Sequence, residues 1–150
     1  MTTYYGIKQK FFLMQPEREV SLKKFIPGII WMVVVLILVM VPGKQLPESE
    51  FLFEINFDKF VHVGIFGLLA VLFSWPFYKT TIPKNKKILY FIIIAVLTSA
   101  FGYATELMQK YWAQGRSYSL MDWLADTGGA LGAFIFCRIF FTRIVTDIKK

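Results

Sequence analysis

One histidine, several carboxylates and two cations stand at the edges of long apolar runs in this 150-residue chain. Asp58, Lys59 and His62 open one run, Glu106 and Gln109 close another, Arg116 and Ser119 lie between runs, and Asp122 and Asp126 open the last. His62 and Glu106 are the residue types that take or give a proton near neutral pH. Lys59 and Arg116 are suited to phosphate or carboxylate, whereas Glu106, Gln109, Asp122 and Asp126 offer oxygens to amines and hydroxyls. One imidazole among many oxygens suits magnesium or manganese better than a closed structural zinc site, and spacing alone assigns no metal. The chain has no His-Glu-x-x-His, Gly-x-Ser-x-Gly or phosphate-cradling P-loop.

On a helix, residues three or four apart share a face. Asp58 with His62, Asp122 with Asp126, and Glu106 with Gln109 therefore each present paired polar groups. Each also has a purely structural reading. Asp58 can cap the helix it opens; Ser119-Leu120-Met121-Asp122 matches a capping box in which Asp122 reaches back to the cap; Glu106 and Lys110 are spaced as a surface ion pair. Asp126 is the exception, because it lies a turn beyond any capping position.

The elements that carry these residues must be membrane helices. Apolar residues make up 56% of the chain and charged residues 18%, against about 45–50% and about 25% in soluble domains. A soluble fold of this length would leave large apolar patches in water. The single cysteine, Cys137, excludes an intramolecular disulfide and reads as a small buried apolar residue.

Phe25 to Val41 contains no ionisable residue and reads as the first span, an uncleaved anchor behind the polar tail Met1 to Lys24. Pro42, Gly43 and Pro47 end it, and an acidic loop from Glu48 to Asp58 follows, with an interfacial segment expected at Phe51-Leu52-Phe53. Phe60 to Phe77 forms the second span. Tyr78 to Lys87 reads as a polar turn, and Ile88 to Thr105 as the third span, continuing to about Trp112. Gly115 permits the next reversal. Leu120 to Phe141 forms the fourth span, in which Gly128, Gly129 and Gly132, with Ala125 and Ala133, offer a small-residue face for close helix approach and for a homo-oligomer. Tyr111, Trp112, Tyr118 and Trp123 read as an interfacial aromatic belt. The expected fold is all-α: a polytopic membrane protein whose four transmembrane helices form a compact bundle over residues 25–143, flanked by tails 1–24 and 144–150.

The basic residues orient it. Lys8, Lys10, Arg18, Lys23 and Lys24 in the tail, Lys79, Lys84, Lys86 and Lys87 in the second turn, and Arg138, Arg143, Lys149 and Lys150 at the end all fall on one side; only Lys44, Lys59, Lys110 and Arg116 fall on the other. Both termini are thus expected in the cytoplasm and the polar cluster at the outer leaflet. Topology accounts for the net charge of +7 without nucleic acid as a partner.

The motif order Asp58-Lys59-Phe60-Val61-His62, Glu106-Leu107-Met108-Gln109, Gly115-Arg116 with Ser119 and Asp122, then Gly128-Gly129-Ala130-Leu131-Gly132 resembles the VanZ-like family of small bacterial membrane proteins, over about Asp58 to Ala133. The chain departs from the usual pattern at Asp126, where asparagine is common. The resemblance implies a helical domain in the bacterial cytoplasmic membrane and a link to resistance to the glycopeptide teicoplanin. The leading functional expectation is an outward-facing pocket of Asp58, Lys59, His62, Glu106, Gln109, Arg116, Ser119, Asp122 and Asp126 that recognises the headgroup of a lipid-linked envelope precursor or a glycopeptide-related ligand. Its alternative is an intramembrane enzyme acting on such a lipid through Glu106, His62 and carboxylates, which would include a metal held by a carboxylate pair. Ion movement through the cluster is a third reading and would need an oligomer.

Overall fold

In a lipid environment every backbone N–H and C=O must be satisfied within the chain, which leaves helices as the natural form for these apolar runs. A computed structural model describes residues 20–40, 57–78, 80–113 and 117–147. They form α1 (Ile26–Val39), α2 (Phe57–Ser74), α3 (Lys84–Trp112) and α4 (Leu120–Asp147), with no strand among the described residues. A 3-10 turn, Leu22–Phe25, leads into α1, and another, Trp75–Phe77, ends α2. Among the described residues four helices are long and apolar enough to cross a membrane: Leu22–Val39, Phe57–Phe77, Lys84–Trp112 and Leu120–Thr142. The expected tail over residues 1–19, the loop over 41–56 including Phe51-Leu52-Phe53, and Lys79 and Arg116 lie outside the described residues.

The breaks follow local chemistry. Pro27 occupies the first turn of α1, where its missing N–H is not needed. Pro83 stands at the start of α3 with ψ 143°, so the chain is extended there and turns helical at Lys84. This corrects the expected turn from Tyr78 to Lys87: Lys84 to Lys87 belong to the helix. At 29 residues and about 1.5 Å per residue, α3 is about 43 Å long, more than a hydrocarbon core requires.

Consecutive helices run antiparallel. Phe25, before α1, meets Phe73 and Phe77 at the far end of α2, with ring centroids 6.3 and 6.0 Å apart. Midway, Trp31 Nε1 donates to the Ile65 carbonyl at 3.0 Å. Val35 and Val39 pack with Phe66 and Leu69 into one core cluster, and Phe91, Cys137 and Phe141 form a second toward the opposite end. Cys137 is fully buried in that second cluster, as expected of a small apolar residue.

The tightest approach joins α2 and α4, backbone to backbone. A Cβ on Gly129 would stand 2.9 Å from the Gly67 backbone nitrogen and closer still to the Val63 carbonyl oxygen. A Cβ on Gly67 would stand 3.3 Å from the Gly129 carbonyl oxygen. The expected close helix approach is made at one of the three glycines: Gly129 meets α2 within the same chain, while a Cβ on Gly128 or Gly132 would meet nothing within 4 Å. A second contact, between α3 and α4, is polar. Trp123 Nε1 donates to the Ser99 carbonyl at 3.1 Å, and the Ser99 and Thr127 hydroxyls meet at 2.7 Å.

Candidate functional site

Three of these packed helices each send one ionisable side chain to a common point. His62 from α2, Glu106 from α3 and Asp126 from α4 have donor atoms that all lie within 4.8 Å of one another. His62 Nδ1 meets Asp126 Oδ1 at 2.8 Å, an N–H donating to a carboxylate. The His62 ring lies parallel to Phe66, one turn further along α2, and Phe66 packs on Phe101 of α3. An aromatic wall thus fixes the plane of the imidazole.

Asp126 fits because residue 102 has no side chain. A Cβ on Gly102 would lie 2.7 Å from Asp126 Oδ2 and 2.8 Å from Asp126 Cβ. Asp126 and Glu106 are both 0% exposed. Thr105 and Gln109, on the same helix as Glu106, are buried as well, and Thr105 turns its hydroxyl inward to the Gly102 carbonyl at 2.7 Å.

Glu106 is bound at one oxygen only. Its Oε2 accepts from the backbone N–H of Ser119 at 2.9 Å, and the Ser119 hydroxyl accepts from the Asp122 N–H at 3.2 Å. Ser119 therefore caps α4 as expected, but the reciprocal half of the capping box is corrected. The Ser119 N–H goes to Glu106 from a neighbouring helix, and Asp122 turns instead to Lys59, Oδ1 to Nζ at 2.6 Å. Lys59 also pairs with Asp58, which stands inside the first turn of α2 and not at its cap. The expected surface pair of Glu106 with Lys110 does not form, since Glu106 is buried and the Lys110 ammonium lies over the Tyr111 ring.

The remaining valences are the informative ones. Glu106 Oε1 and Asp126 Oδ2 are buried without a hydrogen-bond partner among the described residues. Asp122 Oδ1 also lacks hydrogen-bond alignment, but it is held in the ion pair with Lys59. Burying a carboxylate oxygen without a partner costs more than leaving a neutral polar group unsatisfied. Two such oxygens beside one imidazole make a centre able to hold a proton, a cation or the donor groups of a ligand.

The structure brings together Asp58, Lys59, His62, Glu106, Ser119, Asp122 and Asp126, with Gln109 buried one turn beyond Glu106. Arg116 lies outside the described residues. Sequence reading missed Gly102 and Phe66; the signal for both was a spacing of four, Gly102 before Glu106 and Phe66 after His62. The aromatic belt is also divided by its contacts. Tyr111 and Trp112 are exposed, whereas Trp123 is the α3–α4 clip and packs with Tyr103, which also meets Tyr118. No family model, curated protein or solved structure matches the chain, so the VanZ-like resemblance stands on its sequence motifs alone.

Proposed function

We propose that this multi-pass membrane protein belongs to the bacterial cell envelope and uses its polar centre to recognise the headgroup of a lipid-linked or cell-wall precursor. The observation that carries this reading is the pair of fully buried carboxylates, Glu106 and Asp126, each with an oxygen left without a partner among the described residues. In a bilayer such groups are expensive and mark sites of binding or transport. The cluster offers Lys59 at its rim and carboxylates within, a match for a headgroup that carries both anionic and amine or hydroxyl groups.

A lipid-borne ligand also needs a path for its chain. A groove of about 280 Å³ runs along α3 and α4, lined by Ile92, Ala95, Val96, Ser99, Thr127, Leu131 and Phe134. Ser99 and Thr127 are the lining residues nearest the polar centre along their helices, and an acyl or prenyl chain would lie in the groove beside them. The charge asymmetry of the loops supports a centre at the outer leaflet with both termini in the cytoplasm. The VanZ-like resemblance supplies the link to glycopeptide resistance.

Mass spectrometry of lipids copurified with the protein tests this. One phosphate- or glycan-bearing lipid enriched over the bulk membrane, and diminished in Lys59→Ala, is the expected result; a lipid profile equal to that of the bulk membrane overturns the reading.

One observation favours a second, enzymatic reading: His62 is oriented by Asp126 at 2.8 Å in the manner of a general base held by a carboxylate. Under that reading the purified protein converts an extracted envelope lipid, and His62→Ala or Glu106→Gln abolishes the conversion. Turnover absent from the wild type leaves recognition alone.

A further inference from the structure

A buried carboxylate oxygen needs a hydrogen-bond donor or a positive partner, and the centre holds two such oxygens beside one imidazole. Glu106 Oε1 and Asp126 Oδ2 come from different helices and have no hydrogen-bond partner among the described residues. The only ammonium described at the cluster, Lys59, is committed to Asp58 and Asp122 at the rim. His62 Nδ1 meets Asp126 Oδ1 at 2.8 Å and leaves Glu106 Oε1 and Asp126 Oδ2 unanswered; an ion bound at that nitrogen would take the place of its proton.

We propose that His62, Glu106 and Asp126 form a divalent cation site. The geometry fits within a small adjustment. Donors each about 2.2 Å from one ion stand about 3.6 Å apart in a tetrahedral shell, and the three donor atoms here lie within 4.8 Å of one another, so side-chain rotations that close each pair by up to about 1 Å complete the shell. Two carboxylates with one imidazole suit manganese or zinc, and three protein ligands leave positions for water or an incoming ligand.

The surrounding contacts are those that orient ligands. Ser119 N–H fixes Glu106 Oε2, which points the other oxygen into the centre. Phe66 sets the plane of His62, and the missing side chain at Gly102 makes room for Asp126. Such outer contacts matter to metal affinity nearly as much as the ligands themselves.

The cation would also answer a difficulty in the proposed recognition of a phosphate-bearing headgroup. The inner carboxylates repel a phosphate, whereas a bound divalent ion attracts one. Only this consequence rests on the headgroup reading; the cation site does not.

The test is titration of the purified full chain, stripped with chelator in detergent micelles, with manganese chloride, following the resonance of free Mn²⁺. One ion per chain is expected. Glu106→Gln and Asp126→Asn each weaken binding at least tenfold, and Lys110→Gln, whose ammonium lies over the Tyr111 ring outside the trio, changes it less than twofold. Electron spin echo modulation on the wild type, which needs no variant, shows coupling to one imidazole nitrogen that His62→Ala removes. Mn²⁺ raises the unfolding temperature of the wild type and leaves that of Glu106→Gln unchanged.

Binding no greater than to empty micelles overturns the proposal. So does a loss in Lys110→Gln equal to that in Glu106→Gln, which would put the ion outside the trio. Absence of Mn²⁺ binding together with marked destabilisation by Arg116→Gln assigns the free oxygens to that guanidinium instead. Because no lipid enters this titration, its failure is distinct from a failure of headgroup recognition.

Discussion

The two ends of the bundle each bury an ionisable group, and they treat it differently. At one end Lys87 is 1% exposed, and its ammonium donates to the Thr80 carbonyl at 3.0 Å. Thr80 is itself tied back to the carbonyl of Phe77 at 2.8 Å, and the Phe77 ring packs on Phe91, which packs on Phe141. At the other end Glu106 and Asp126 are buried just as deeply, yet each keeps an oxygen without a hydrogen bond among the described residues. Lys87 closes a structure locally, with a partner seven residues away. The carboxylates come from helices whose own packing forces them together. A buried amine given a hydrogen-bond acceptor close by in the chain reads as architecture, and buried carboxylates left with unpartnered oxygens read as a place for something else.

That contrast can be broken most forcefully at the α2–α4 contact. Gly129→Leu should lose about 3 kcal/mol or more by forcing backbone from backbone, seen as loss of monodisperse elution and of the thermal transition. Gly128→Leu, in open space, should be silent within about 0.5 kcal/mol. Equal effects at the two positions would refute the assignment of Gly129 as the contact that aligns His62 with Asp126.

Gly102→Ala should cost about 1–3 kcal/mol, since its methyl would overlap Asp126, and thermal unfolding measures it. The same mutation should weaken Mn²⁺ binding, because Asp126 must move. A smaller effect separates the two ends by sign. Lys87→Met leaves the Thr80 carbonyl unpaired and should destabilise by about 1–2 kcal/mol. Glu106→Gln removes a buried charge while keeping an acceptor for the Ser119 N–H, so it should raise the stability of the metal-free protein. Unfolding temperatures that fall for both variants would erase the distinction between the ends. Smallest of all, Asp58→Asn, whose side chain is 57% exposed, should change stability by less than about 0.5 kcal/mol.

Much of this was legible in the chain. Phe25 to Val41 and Ile88 to Thr105 carry no charge, and such runs declare their helices because apolar length is a local property. Ser119 announced the start of α4 for the same reason: a cap acts within one turn. The pairing of polar residues along each helix was equally readable from spacings of three and four. Lys84 to Lys87 misled because four polar residues after a proline resemble a turn, and only the Thr80 carbonyl reveals where the Lys87 ammonium can go.

The sequence by itself determined that there would be four apolar helices, where most of them end, and that acids, a histidine and a lysine would gather near one end of each of the last three. It could not decide which residue takes which partner. The Ser119 N–H is within reach of Asp122 along the chain, yet it goes to Glu106; Asp122 in turn is claimed by Lys59. Three glycines in α4 looked alike, and only Gly129 meets another backbone. Helix propensity, capping and hydropathy act over a few residues and so can be read in order along the chain. The meeting of His62, Glu106 and Asp126 depends on the rotation of three helices against one another, and only close packing at Gly67, Gly102 and Gly129 sets that rotation.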